Sequence, residues 1–396
     1  MKNKSLKHWL IVLCCCGISA SSIGTVVNTA GVFYEPICQD LGVLRGSVAM
    51  HTTLACLATA IVCLFAPSLL KRYNFKMLIF VGALLTAGST ILMAFSRSIL
   101  VFNILGTIKG IGAGMYHMLL MSKILNNWFS KSRGLATSIA FSFSGVAGAI
   151  LSPILNTIIQ HAGWEQAYIV LGILSFLFVL PALLIPFSLD PRKDGYLPYG
   201  YEQEEQNMTK EEVSFNPWSK AFILFILIGT LTTFVSGFTS HLPGYASSLG
   251  ISATIGALLI SGGMIGNIGS KILLGILSDL FGVFKSIYLM IGINILSLVL
   301  LLFIPVDFVM ICTSVLFGSI YGISAVGLPL LTKEFFGEQA YVKAFSYVSF
   351  AMNVGGAVAL SIIGYVFDWL QSYPIIIVLL IVVQIFNSIG IYLLKK

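Results

Sequence analysis

Long apolar runs alternate with short polar breaks along this chain, and the runs are longer than a soluble core requires. A helix rising 1.5 Å per residue needs about 20 mostly apolar residues to cross the hydrocarbon of a bilayer. Twelve runs reach that length, near residues 9–33, 46–69, 77–96, 99–122, 134–159, 165–187, 218–241, 252–277, 286–304, 308–331, 344–366 and 372–394. Hydrocarbon offers no water to an unpaired amide, so each run is expected to be a helix. The first run continues to Phe33 without a small-residue cleavage site, which reads as a span rather than a removed leader. The fold expected is an all-α membrane protein of twelve transmembrane helices in two six-helix bundles.

The polar breaks set the organisation. Only one is long: residues 188–217 hold Pro191, Pro198 and Pro217 together with Asp190, Asp194, Glu202, Glu204, Glu205, Glu211 and Glu212. This segment reads as a flexible cytoplasmic linker between an N-terminal bundle, 1–187, and a C-terminal bundle, 218–396. Basic loops are retained in the cytoplasm. With the N-terminus inside, all but four of the 22 basic residues fall on the cytoplasmic side. Arg45 and Arg97 fall outside, and Lys109 and Lys271 lie within runs. Both termini are therefore expected in the cytoplasm of a multi-pass protein of the cell membrane.

Composition agrees with the run pattern: 57% of residues are hydrophobic and only 9% charged, with a mean hydropathy of +0.97. The net charge of +7 is then a topology signal, and no soluble basic face is left for nucleic acid. Clustered nucleophiles, intramembrane carboxylates and metal-ligand spacings are lacking, so an enzyme, a metal site and a cofactor are not expected. Cys14, Cys15 and Cys16 project in different directions from one helix and read as packing.

The two halves repeat weakly. A shift of 209 lays Ala66–Lys76 over Gly275–Lys285, and a shift of 210 lays Arg133 over Lys343. The stretch Gly275-Ile-Leu-Ser-Asp279-Leu-Phe-Gly282-Val-Phe-Lys285 resembles the GxLSDxxGxxK loop signature of the major facilitator superfamily. Trp128-Phe-Ser-Lys131-Ser-Arg133-Gly134-Leu-Ala is similar to the entrance of the fifth span in the monocarboxylate and oxalate/formate transporter group, as is Asn28-Thr-Ala-Gly31-Val-Phe-Tyr34 at the end of the first. The resemblance implies two bundles rocking about a midplane site. It also implies a gate at the loop, with Gly275, Gly282 and Lys285 in the signature and Asp279 near Arg133, a pair that would hold the cytoplasmic side shut.

Glycines at small-xxx-small spacing, Gly106, Gly110 and Gly114 in the fourth run and Gly262, Gly266 and Ser270 in the eighth, predict close helix packing. The interior cations carry the functional reading. A charge at the bilayer centre costs about 2.5 to 3.5 kcal/mol on insertion scales, so it faces a partner or a water-filled cavity. Lys271 lies toward the cytoplasmic end of its run, where its stem could also snorkel. Lys109 lies near the middle of its run, with Tyr116 seven residues on along the same face and His117 beside it. Asn28, Tyr321 and Asn353 either line the cavity or bond a neighbouring helix. Two buried cations with no buried carboxylate call for an anion, and a small carboxylate fits apolar walls with an ammonium at one end.

In the monocarboxylate group a basic residue four positions before the signature glycine binds the substrate carboxylate, and Lys271 holds that position. Proton-coupled members carry an aspartate one turn earlier, where this chain has Asn267. Oxalate/formate exchangers place a second cation on the eleventh span, whereas residues 344–366 contain no Lys or Arg and Lys109 would substitute. The expected function is thus secondary transport of a small organic anion, a mono- or dicarboxylate, by a monomeric unit with exchange favoured and a proton or counter-anion as co-substrate. A proton-coupled monocarboxylate symporter, a carrier of another solute and a non-transporting sensor stand as alternatives.

Overall fold

The computed structural model describes residues 4–130, 132–201 and 216–395; the side chains of 4–5, 66–67, 133–134 and 338–343 lie outside that description. The expected gate side chain Arg133, the acidic stretch 202–212 and Lys343 therefore fall outside the described residues. Among the described residues the secondary structure is helical apart from one isolated bridge, Phe129 to Tyr199. Eleven stretches are long and apolar enough to cross a membrane. The fifth, Leu135–Leu184, has 50 residues and turns at Gly163, whose φ of +87° is open to glycine and strained for other residues.

The chain forms two compact units, one of residues 1–30, 54–151 and 158–208, the other of 31–53, 152–157 and 209–396. The second unit thus includes the Phe33 end of the first run and the start of the second.

Continuous helices were expected in every run, and four runs depart from this. In the first unit, the first run passes into a π-helix at Ala20–Asn28. The fourth run breaks between Ile99–Met115 and Met118–Trp128, with His117 extended at ψ −171°. In the second unit, the seventh run tightens to a 3-10 turn at Gly237–His241. The tenth stops at Phe317, restarts at Ser319–Gly322 and widens to a π-turn at Ile323–Gly327. Runs one, four, seven and ten are each rich in glycine or serine at the irregular turn, where a wider or broken ladder meets little steric resistance.

The glycine spacing in the eighth run does pack a helix. Gly262 lies against Ser314, Gly266 against the Val315 carbonyl and Gly318, and Ser270 against Gly322, so a small-residue row on Ala253–Phe281 meets a second row on the tenth run. Ser270 Oγ donates to the Gly318 carbonyl at 2.9 Å. In the fourth run, Gly110 meets the Ala55 backbone and Gly112 meets Gly82 and Thr86. Deeper in the second unit, Gln384 Nε2 donates to Asn294 Oδ1 (2.6 Å), Asn387 Nδ2 to Gln384 Oε1 (3.1 Å), and Asn294 Nδ2 to the Phe317 carbonyl (3.0 Å). These amides tie the ninth, tenth and twelfth runs together, most of the buried polar atoms bonding one another where water is excluded, with Asn387 Oδ1 left without a partner.

The linker reading needs one correction. Residues 186–201 are not free but strapped onto the first unit: Tyr199 N donates to the Trp128 carbonyl at 2.8 Å and Ser130 N to the Tyr199 carbonyl at 3.0 Å. Trp128 Nε1 donates to the Ser188 carbonyl at 2.9 Å. Buried His8 sits edge-on to Trp128 and Tyr199, at 5.5 and 5.6 Å between centroids, and its Nε2 bonds the Leu197 carbonyl at 3.0 Å. Asp194 turns inward onto Ser188 N and Oγ, at 2.6 and 2.7 Å. Aromatic packing and backbone pairing outweigh the loop-like composition here.

The small-residue seam makes a stability prediction. A side chain at Gly266 collides with the Val315 carbonyl, while a Cβ at Gly269, one turn away, meets nothing within 4 Å. Gly266→Leu should destabilise the protein by about 3 kcal/mol or more, since two backbones would have to part. Gly269→Ala should be neutral or stabilising by up to ~1 kcal/mol, as alanine replaces glycine in a helix. Thermal unfolding of the purified protein in detergent separates the two, and a Gly266→Leu variant as stable as the parent would refute the seam.

Candidate functional site

In the first unit the site is built on the fourth run. Lys109 is 2% exposed, and among the described residues its ammonium makes no hydrogen bond or ion pair. Its backbone is gripped from two sides. Thr59 Oγ1, from the second run, donates to the Gly110 carbonyl at 2.9 Å, and Thr86 Oγ1, from the third, to the Lys109 carbonyl at 3.3 Å. The charge is therefore held by fixed helices, and only its four-carbon stem is free to adjust.

The residues grouped with Lys109 by spacing are distributed differently. The helix ends at Met115 with Tyr116 as its C-cap, and the Tyr116 hydroxyl turns to other partners than the ammonium: it is 2.9 Å from Ser21 Oγ, which is 3.0 Å from Ser175 Oγ. Thr25 Oγ1 completes this buried hydroxyl cluster, 3.2 Å from Ser175 Oγ. Asn28, the last residue of the π-helix, donates to the Ser144 carbonyl at 2.9 Å and so bonds a neighbouring helix. His117 lies half-buried at the break and caps nothing with its ring.

In the second unit the site is built on the eighth run. Lys271 is half-buried, directly after Ser270 in the seam, and its ammonium likewise has no hydrogen bond or ion pair among the described residues. One turn earlier, Asn267 is 4% exposed. Its Nδ2 reaches only Met264 Sδ at 3.8 Å, and its Oδ1 has no partner. An unmatched buried carbonyl costs about 1 to 3 kcal/mol, so this position is primed for a donor. Ser319 Oγ, on the facing helix, is also unmatched. Tyr321 donates to Thr239 Oγ1 at 3.1 Å, linking the irregular turns of runs ten and seven. Asn353 is exposed and donates to its own helix at Ser349, 2.8 Å away.

The residues expected at the gate lie at or near helix ends. Asp279 and Lys285 are exposed, and Asp279 makes no ion pair among the described residues. Gly282, at φ +85°, ends Ala253–Phe281 and starts Val283–Phe303. Gly275 has open space at its Cβ position, so its place in the signature is not explained by packing.

Sequence reasoning missed one cluster. Glu35, Arg45, Asp368 and Tyr373 meet within the second unit. Charge counting places Arg45 outside, but no periodicity could pair it with positions more than 300 residues away.

Comparison with known proteins follows this geometry. The sequence profile of the Major Facilitator Superfamily matches residues 11–360. The chain is 25% identical to the uncharacterized MFS-type transporter YcxA of Bacillus subtilis, covering 96% of this chain and 94% of the relative. It is 24% identical to monocarboxylate transporter 12 of Xenopus laevis, over 98% and 88%. Among solved structures, the nucleoside transporter NupG superposes at TM-score 0.76 with 12% identity over all of both chains. The D-xylose-proton symporter superposes at 0.75 with 15% identity over 99% and 97%. The all-helical bundle, the loop signature and the profile match across most of the chain together make this protein a multi-pass membrane transporter of the Major Facilitator Superfamily.

Proposed function

We propose that this transporter moves a small organic anion, a mono- or dicarboxylate, across the cell membrane by alternating access, with exchange favoured over net uptake. On this reading the chain crosses twelve times, the two arms of the stretch bent at Gly163 counted separately, with both termini cytoplasmic and a monomer as the working unit. The observation that carries it is the Lys109 ammonium, 2% exposed, inside an apolar bundle and without an ion pair among the described residues. An isolated ammonium in low dielectric is costly, and an anionic substrate supplies the missing partner. Lys271 brings a second unpaired cation, and the unmatched Asn267 Oδ1 accepts a hydroxyl or a protonated carboxyl. Relatives named for monocarboxylate transport support the substrate class. Gly275, Asp279, Gly282 and Lys285 serve the gate rather than the substrate.

Coupling follows from charge. The acidic residues within the membrane-crossing stretches lie at ends or at the Gly163 turn, as Glu165, Asp279, Asp307, Glu334 and Asp368 do. An empty carrier with two unpaired interior ammonium groups would have to reorient unneutralised charge, at a cost of several kcal/mol. A loaded carrier avoids this. One observation favours a second reading, proton-coupled symport: His117 stands at a helix break with a ring that caps nothing and is a candidate proton carrier.

Replacing Lys109 or Lys271 by Gln should lower uptake of labelled carboxylates into proteoliposomes by about tenfold or more, a loss of at least ~1.4 kcal/mol of anion binding. Insertion should be unharmed, because the amide also removes the burial cost. Arg at either position should retain more activity than Gln, though less than Lys, since a planar fork replaces a compact ammonium. Parental transport by Lys109→Gln across a panel of short mono- and dicarboxylates would end the carboxylate reading.

Exchange is tested by loading one set of vesicles with unlabelled substrate and leaving another empty. Labelled uptake should be faster into the loaded set and respond weakly to an inward proton gradient. Equal rates in both sets with strong stimulation by the gradient would establish symport, and His117→Gln should then abolish the stimulation.

A further inference from the structure

At one end of the second unit the first two runs are tied to the last two. Asp368, at the end of the eleventh run, accepts from Arg45 N at 3.1 Å (Oδ1) and Gly46 N at 2.9 Å (Oδ2), two amides left open by the start of the second-run helix. Arg45 is 9% exposed. Its Nη1 donates to the Tyr373 hydroxyl at 2.6 Å, and its guanidinium lies 4.5 Å from the Phe367 ring centroid. Its other arm pairs with Glu35, ten residues earlier in the same turn of chain. Two helical turns deeper, Thr53 Oγ1 donates to the Ala357 carbonyl at 2.9 Å and sits 2.7 Å from Ser361 Oγ. The surfaces between these bonds are made of small residues: Gly364 against the Gly46 backbone, and Gly31 against the Ser240 backbone.

We propose that this cluster is the latch of one of the transporter's two gates: the bonds from Arg45, Gly46 and Thr53 to Asp368, Tyr373, Ser361 and Ala357 hold that face closed, and each transport cycle breaks them. The inference rests on the alternating-access reading above. Three features fit a contact built to open. The helix-start amides capped by Asp368 are orphans of helix geometry, which water satisfies as readily as a carboxylate. Thr53 and Ser361 are hydroxyls, equally at home against water. Glu35 belongs to the same segment as Arg45 and travels with it, so opening leaves no bare charge on that segment, while half-buried Asp368, at the end of its run, exchanges its two amides for water. The amide ladder of Asn294, Gln384 and Asn387 lies within the last six runs and need not break. The three charged groups of the latch are thus divided, the Glu35–Arg45 pair on the moving segment and Asp368 on its seat.

Accessibility of a buried thiol tests this without any substrate. In a background whose seven native cysteines are replaced by alanine or serine, Ser361→Cys reports on the latch and Ser297→Cys, fully buried on the ninth run, reports on the bundle interior. Each is placed in the parent, in Asp368→Ala and in Tyr373→Phe, and the protein is labelled in nanodiscs with a water-soluble maleimide. Asp368→Ala should raise the labelling rate at position 361 by about tenfold, and Tyr373→Phe by a smaller factor, as the open population grows; position 297 should label no faster. A rate at 361 within about twofold of the parent in Asp368→Ala would overturn the latch. So would a parallel rise at 297, which marks a loosened bundle instead. Because no carboxylate is present, the labelling result stands whether or not the substrate assignment survives the transport assays.

Discussion

A peptide amide in hydrocarbon has no water to fall back on, and the helices of this protein answer that constraint in two ways. Most runs keep the i to i−4 ladder intact. Where runs one and ten widen, hydroxyls take up freed or strained carbonyls: Thr25 Oγ1 donates to Ser21 O at 2.7 Å and Thr29 Oγ1 to Thr25 O at 3.2 Å, while Ser324 Oγ reaches Ile320 O and Tyr321 O at 3.1 and 3.2 Å. The irregular turns are therefore solvated by their own side chains. They also carry or adjoin several of the candidate polar residues, Asn28, His117 and Tyr321 among them.

Charge is handled with the same economy. At the helix ends it is paired, as in Arg97 with Glu165 at 2.6 Å and in the Glu35–Arg45 pair. Lys76 reaches the Leu183 and Ile185 carbonyls at 3.3 and 2.7 Å, placing a cation where a helix C-terminus is partly negative. Only Lys109 and Lys271 break the pattern among the lysines singled out by position. Paired or water-exposed charges at the ends contrast with two unpartnered interior ammoniums, each of which lowers stability.

What the sequence could convey depended on the range of the interaction. Apolar length and lone charges are local, so the runs and both lysines were legible. The seam was half legible: the spacing of Gly262, Gly266 and Ser270 announced a close contact, but not that Ser314, Gly318 and Gly322 would face it. The partners of Tyr116 were not legible, because its hydroxyl meets Ser21, 95 residues away in number, and through it Ser175. The docking of residues 186–201 was illegible for a related reason. Prolines and acids in that stretch read as linker, whereas the segment is held by backbone pairing, which carries no residue code, and by aromatic rings on three separate elements.

That docked strap bears on modularity. Because Tyr199 pairs with both sides of Phe129, the residues up to 201 belong structurally to the first unit although they follow its last apolar run. The natural seam for dividing the gene into two co-expressed halves is therefore after Tyr201 and not at residue 188. A half ending at 187 would lack the backbone that lines Trp128 and Phe129, expose the aromatic surface around His8, and start its life as an aggregation-prone fragment. The structural end of the first unit's chain thus lies past the point where hydropathy alone would cut it.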